Sequence, residues 1–225
     1  MMQPPSDLQR QDASSPRSRG FTLIEMLVVI AVIVLLAVLM FPSAKGFLEK
    51  GREAECVNNL RQLGAGLGLY VAENGGYPPS AGFNGGFTGK NWWFTDALQN
   101  MDGGSPYKIA GSGIPDIIDL PKTPLKCPSV KQRGWPFIDY GINATALPWG
   151  LRPVPATRIT SPAQTFLVAE STIWAAGVGW GGTLDKEFAF RHNERANVLY
   201  FDGHVGAVTK TQAADPAFAK KLIGP

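Results

Sequence analysis

The sequence predicts an α+β fold: a long N-terminal helix packed on a small antiparallel β-sheet. Three observations predict it. Residues 21–41 are the most apolar run in the chain, with a single acid, Glu25. An amphipathic pattern at intervals of three and four then continues to about Tyr70. From Phe137 onward, short β-branched and aromatic runs are separated by Pro, Gly and Asn. In a chain of 225 residues, about 155 follow Tyr70, enough for one globular domain with its own core. The net charge of +3 is too small for a nucleic-acid footprint, and no nucleic-acid partner is expected.

Met1 to Ser18 is polar, carries Pro4, Pro5 and Pro16, and has no apolar period, so it is expected to lack structure of its own. The run from Phe21 to Phe41 is long enough, as a helix, to span the roughly 30 Å of a bilayer's hydrocarbon core. Its length and the lack of an A-x-A cleavage site after it read as a retained anchor rather than a secretory signal. Arg10, Arg17 and Arg19 precede it, so the positive-inside rule places Met1 to Arg19 in the cytoplasm and the chain after about Lys45 outside. An acid within such a run needs a partner, and no Lys or Arg lies inside it. A cut between Gly20 and Phe21 would create an α-amine one helical turn from Glu25.

Arg19-Gly20-Phe21-Thr22-Leu23-Ile24-Glu25 resembles the type IV prepilin signature, shared with type II secretion pseudopilins, at every position. The resemblance implies a pilin-like fold, cleavage after Gly20 by a membrane-embedded prepilin peptidase, N-methylation of Phe21, and assembly into a helical filament through the segment from Phe21 to about Tyr70. It divides the chain into a cleaved leader (1–20), a transmembrane helix (21–41), an amphipathic extension (42–72) and an extracytoplasmic globular domain (73–225). The partners it implies are the peptidase, other pilin or pseudopilin subunits, inner-membrane lipids and the filament assembly machinery.

Pro42 should kink the helix, because it lacks a backbone donor and crowds the preceding turn. Beyond it, Ala44, Phe47, Leu48, Cys56, Leu60, Leu63, Leu67 and Tyr70 form the expected apolar stripe, weakened by Gly64, Gly66 and Gly68 and stopped by Gly75-Gly76 and Pro78-Pro79. The segment from Cys56 to Gly64, followed by Tyr70 and Gly76-Tyr77-Pro78, is similar to a large subgroup of prepilin-like proteins. That subgroup's other mark is H-X9-DG near the C terminus, matched here by His192 and Asp202-Gly203.

Between these ends, 77–135 is rich in Gly, Pro and aromatics and reads as a long ordered loop, with Trp92 and Trp93 filling core. Strands are expected at Phe137–Ile142, Gln164–Glu170, Glu187–Phe190, Ala196–Phe201 and His204–Val208. Asp202-Gly203 suits a two-residue type I′ hairpin, which would put Val198, Tyr200, Val205 and Ala207 on one face.

Two cysteines in an oxidising compartment suggest a Cys56–Cys127 disulfide, which would close a loop of about 70 residues and contribute roughly 4 kcal/mol. Two free thiols are the alternative, and sequence does not choose between them. By count, Cys56, Cys127, His192 and His204 make a zinc set, but no close Cys pair or short His spacing supports it. A Cys–His nucleophile lacks an orienting third group in the sequence, so no catalytic residue is assigned. His192 and Asp202 are expected to meet across the hairpin as a structural lock. Some related secretion pseudopilins bind calcium in C-terminal loops, which brings calcium at Asp202 into view. No D-x-D-x-D-G run supports it, and no cofactor is expected. The resulting reading is a structural filament subunit, with a ligand-binding minor pilin and a membrane-anchored extracytoplasmic enzyme as its rivals.

Overall fold

The computed structural model describes residues 20–81, 93, 123–130, 138–150, 152–177 and 183–224, without the side chains of 39–45. The leader before Gly20, Trp92 and most of the 77–135 loop lie outside the described residues. The chain divides into two compact units at Lys45/Gly46.

Helix α1 runs from Leu23 to Asn74, 52 residues, as a single element through Pro42. Its start is a capping box: Glu25 N donates to Thr22 Oγ1 at 3.3 Å and Thr22 N donates back to a Glu25 carboxylate oxygen at 2.8 Å. It ends where Gly75 takes φ 72° and its N–H reaches the Val71 carbonyl at 2.9 Å. In the first unit, every described side chain from Leu23 to Val38 is exposed. Among the described residues no helix is long and apolar enough to cross a membrane. The described run stops at Val38, short of the about 20 residues a span needs, and the side chains that follow it lie outside the described set.

In the second unit, Cys56, Leu60, Leu63 and Leu67 of α1 are fully buried, whereas Phe47 and Leu48 are 72% and 64% exposed. The buried stripe therefore begins later than the sequence pattern predicts. It covers one face of a five-stranded sheet ordered β3-β1-β2-β4-β5. The strands are β1 (Tyr140–Asn143), β2 (Phe166–Glu170), β3 (Ala175–Ala176), β4 (Arg195–Tyr200) and β5 (Val205–Thr209). All neighbours are antiparallel except β1 and β3. The other face, carrying Phe166, Ala169, Val198 and Val208, packs on α2 (Leu184–Glu187), α3 (Lys210–Ala214) and α4 (Pro216–Ile223) through Leu184, Ala213 and Leu222. Trp93 is buried in the α1-side core, its Nε1 donating to the Trp174 carbonyl at 3.0 Å.

Two strand expectations are corrected. Glu187–Phe190 is not a strand. The N–H groups of Lys186, Glu187 and Phe188 turn back to the carbonyls of Thr183 and Leu184, which makes α2, and Phe188 keeps only an isolated bridge to Ser171. The β4–β5 hairpin does not close through a two-residue turn. Tyr200 N donates to the His204 carbonyl at 2.9 Å and Gly203 N to the Tyr200 carbonyl at 3.0 Å, with Gly203 alone in the loop at positive φ, 92°. This is a three-residue loop, Phe201-Asp202-Gly203, with glycine in the left-handed position. The added residue slips the register, so Val205 faces Leu199 and Gly206 faces Val198. Val198 and Tyr200 therefore do not share a face with Val205 and Ala207.

The type I′ turn lies earlier, at His192–Arg195, where Asn193 and Glu194 have φ 49° and 60°. His192 and Arg195 exchange both backbone hydrogen bonds, at 3.2 and 3.0 Å.

Candidate functional site

Gly20, Phe21 and Glu25 of the N-terminal motif are exposed in the single chain. A Cβ placed on Gly20 would meet nothing within 4 Å, so nothing among the described residues requires glycine there. Glu25 does have a local partner that the sequence reading missed: besides the Thr22 backbone, the Thr22 hydroxyl donates to its carboxylate at 2.8 Å. The Thr-x-x-Glu spacing was the available signal.

A second constellation forms where four distant stretches converge. Cys56 comes from the buried face of α1. Cys127 sits in a turn ahead of β1, its N–H donating to Asp139 Oδ2 at 2.8 Å. Glu170 ends β2, and His192 opens the type I′ turn into β4. All four are fully buried, and one ligand atom from each lies within 4.8 Å of every other. His192 Nε2 is 3.0 Å from Glu170 Oε1 and 3.7 Å from Cys127 Sγ, and that sulfur is 4.0 Å from the same carboxylate oxygen. Behind them, Asn197 N donates to Glu170 Oε2 at 2.9 Å, and Glu49 Oε1 stands 3.2 Å from His192 Nδ1. Glu49 is steadied in turn by the Ser129 hydroxyl at 3.0 Å.

The Cys56 hydrogen bond, helped by His192, brings the Cys127 thiol down to about 6 against the opposing effect of burial. The same Cys127 contact, together with burial, pushes Cys56 up. Burial works against imidazolium, but the hydrogen bonds and charges of Cys127 and Glu170 outweigh it and raise His192 to about 10.

Sequence spacing set a zinc set aside because no two ligands are close in the chain. In the fold, three of the four residues counted there meet, with Glu170 in place of His204. Both cysteines are free thiols in this structure. The expected His192–Asp202 lock is not formed, because the two side chains have different partners. Exposed Asp202 Oδ1 accepts from His204 N at 3.1 Å and lies 2.6 Å from His204 Nδ1. Asp202 is not part of the cluster able to hold a metal among the described residues, and Gly203 shapes the loop. Full burial of Cys127 and His192 also differs from the partly exposed setting of reactive cysteines.

Residues 15–41 match a family model described as the prokaryotic N-terminal methylation motif. Residues 48–109 match one described as a protein of unknown function (DUF1559). Over 65 residues the chain is 38% identical to a type II secretion system core protein G of Pectobacterium carotovorum subsp. carotovorum, covering 29% of this chain and 42% of that one. Over 62 residues it is 40% identical to a protein of the same name from Klebsiella pneumoniae, covering 28% and 44%. It is 35% identical over 63 residues to the type IV major pilin protein PilA of Myxococcus xanthus (strain DK1622), covering 28% and 29%. The chain thus spans less than half the length of these relatives. No solved structure matches it.

Proposed function

We propose that this prepilin-like chain is a structural subunit of a type IV pilus-like or type II secretion pseudopilus-like filament. A prepilin peptidase cuts it after Gly20, Phe21 is N-methylated, and residues 21–41 hold it in the inner membrane with the domain outside the cytoplasm until the assembly machinery packs it with other subunits. The observation that carries this reading is the prepilin motif at the head of a helix whose described side chains from Leu23 to Val38 are apolar, apart from Glu25, and exposed on every side. A helix apolar all round needs lipid or other helices about it, and a filament subunit meets both in succession.

The rival readings have less support. Trp93, from the segment that a ligand-binding minor pilin would use, is spent on the core, and the Cys127–His192 pair of an anchored enzyme is buried. Filaments sheared from the native cell and examined by mass spectrometry test the proposal. The expected result is this chain beginning at N-methylated Phe21; filaments lacking it, made by cells that express it, would refute subunit status. Gly20→Asp should leave the leader attached while insertion continues, and normal mature chain from that variant would overturn the cleavage site.

A further inference from the structure

We propose that Cys56, Cys127, Glu170 and His192 form a closed structural site for a divalent zinc ion. In a tetrahedral zinc site, bonds of about 2.3 Å to sulfur and about 2.1 Å to nitrogen or oxygen set ligand atoms about 3.4 Å apart for N and O, and about 3.6 Å apart for S and N or O. Here the N–O separation is 3.0 Å, the S–N separation 3.7 Å and the S–O separation 4.0 Å. These three edges of the tetrahedron are thus within about 0.4 Å of the required lengths, and Cys56 Sγ lies within 4.8 Å of the other three ligand atoms.

The surroundings support a metal beyond the donor set itself. His192 is fixed by the Glu49 carboxylate on Nδ1, so that Nε2 faces inward. This is the carboxylate–histidine arrangement that orients metal ligands. Glu170 is held through its other oxygen by the Asn197 amide. The Cys127 backbone is tied to Asp139, which lies 3.7 Å from Arg191 beside His192.

A disulfide would use the two sulfurs and leave Glu170 and His192 paired only with each other, at 3.0 Å, and with Asn197 and Glu49, whereas a cation would engage all four converging groups at once. Two thiolates and an imidazole suit zinc, whereas calcium and magnesium take oxygen ligands. Four protein ligands leave no open position, which marks a structural site. On binding, the thiol protons and any proton on His192 Nε2 go to solvent, each ligand donates a lone pair, and no redox step is involved. The ion would staple α1 to the Cys127 turn, β2 and the entry to β4.

The test uses the full chain in detergent, purified with zinc present and thiols reduced. It is expected to retain one zinc per chain through dialysis, with X-ray absorption showing two sulfur and two nitrogen or oxygen neighbours. Cobalt exchanged into the site should give thiolate charge-transfer and tetrahedral d–d bands. Cys127→Ser and His192→Ala should each lower zinc affinity at least tenfold, while His204→Ala keeps full stoichiometry. Failure of the reduced wild-type chain to take up zinc or cobalt, a spectrum with nitrogen and oxygen neighbours only, or unchanged binding in Cys127→Ser would overturn the proposal. Where a variant does not fold, the wild-type X-ray absorption decides alone. None of these readouts depends on whether the chain enters a filament.

Discussion

Arg191 ties Asp139 and Ser171, at two places in the buried cluster's frame, with one planar head group. Its guanidinium donates to the carbonyls of Asp139 and Ser171, each at 2.9 Å, and lies 3.7 Å from Asp139 Oδ1. Lysine keeps the charge but has no fork that serves both carbonyls at once. Arg191→Lys is therefore expected to lower the stability of the full chain by about 1–3 kcal/mol, the range for leaving a buried acceptor unsatisfied, as read by urea unfolding. Asp202→Ala, which removes an exposed turn contact, should cost under about 1 kcal/mol by the same measurement. The contrast separates the two residues that the H-X9-DG spacing joins in sequence. That spacing singles out His192, which the fold buries against Glu170, but pairs it with Asp202, because it counts along the chain while Asp202 is engaged within its own loop. Both cysteines were visible as candidates. Glu170 was not, since a lone acid ending an apolar strand has no local pattern, and its role arises only where α1, two strands and a turn meet.

Two turns show how far local sequence reaches at the scale of elements. Asp202-Gly203 was a sound signal for a hairpin, yet the loop takes three residues and the type I′ turn falls on Asn193-Glu194. Glutamate at φ 60° pays the steric cost of the left-handed region, about 1–2 kcal/mol for a residue with a Cβ, against about 0.5–1 kcal/mol for the extra chain entropy of glycine. Glu194→Gly should therefore stabilise the fold by up to about 1 kcal/mol, whereas Gly203→Ala, at φ 92°, should destabilise it by about 1–2 kcal/mol. Chemical denaturation of both variants checks the pair, and the reverse order would contradict the turn assignment. β2, β4 and β5 were legible because short, largely apolar runs lie between Pro, Gly and Asn punctuation. β3, Ala175–Ala176, carries no such signal and exists only because β1 offers it an edge. Among the helical glycines, the position of a Cβ on Gly64 lies 3.0 Å from Leu199 Cδ2, while one on Gly68 meets nothing within 4 Å. Gly68→Ala should gain up to about 1 kcal/mol of helix propensity, and Gly64→Leu should lose about 1–3 kcal/mol by overpacking. The glycines that read as weak points in a helix thus include one that lets the sheet approach it.

At the scale of the whole molecule, the chain combines a domain that buries its own apolar groups with a helical segment that leaves them exposed. The described exposed segment carries one acid, and the role of that acid separates a packing account of assembly from an electrostatic one. Within the single chain, Glu25 caps its own helix through Thr22. Our hypothesis, prompted by the Gly20-Phe21 junction one turn away, is that in the filament the carboxylate meets the α-amine of a neighbouring subunit's Phe21. Glu25→Gln distinguishes the two roles, because glutamine at the same position of a capping box still accepts from the Thr22 N–H. It is also uncharged and so easier to bury. Neither a frayed helix start nor poor insertion would then explain a defect. The variant is expected to reach wild-type membrane levels and to be cut after Gly20, yet to enter filaments at least tenfold less in cells with no wild-type copy. Thr22→Val supplies the converse, removing the hydroxyl while keeping the charge, and should assemble far better than Glu25→Gln. Equal amounts of Glu25→Gln and wild type in isolated filaments would rule the charge pair out, and an assembly loss in Thr22→Val as deep as that of Glu25→Gln would move the requirement from the charge to the cap.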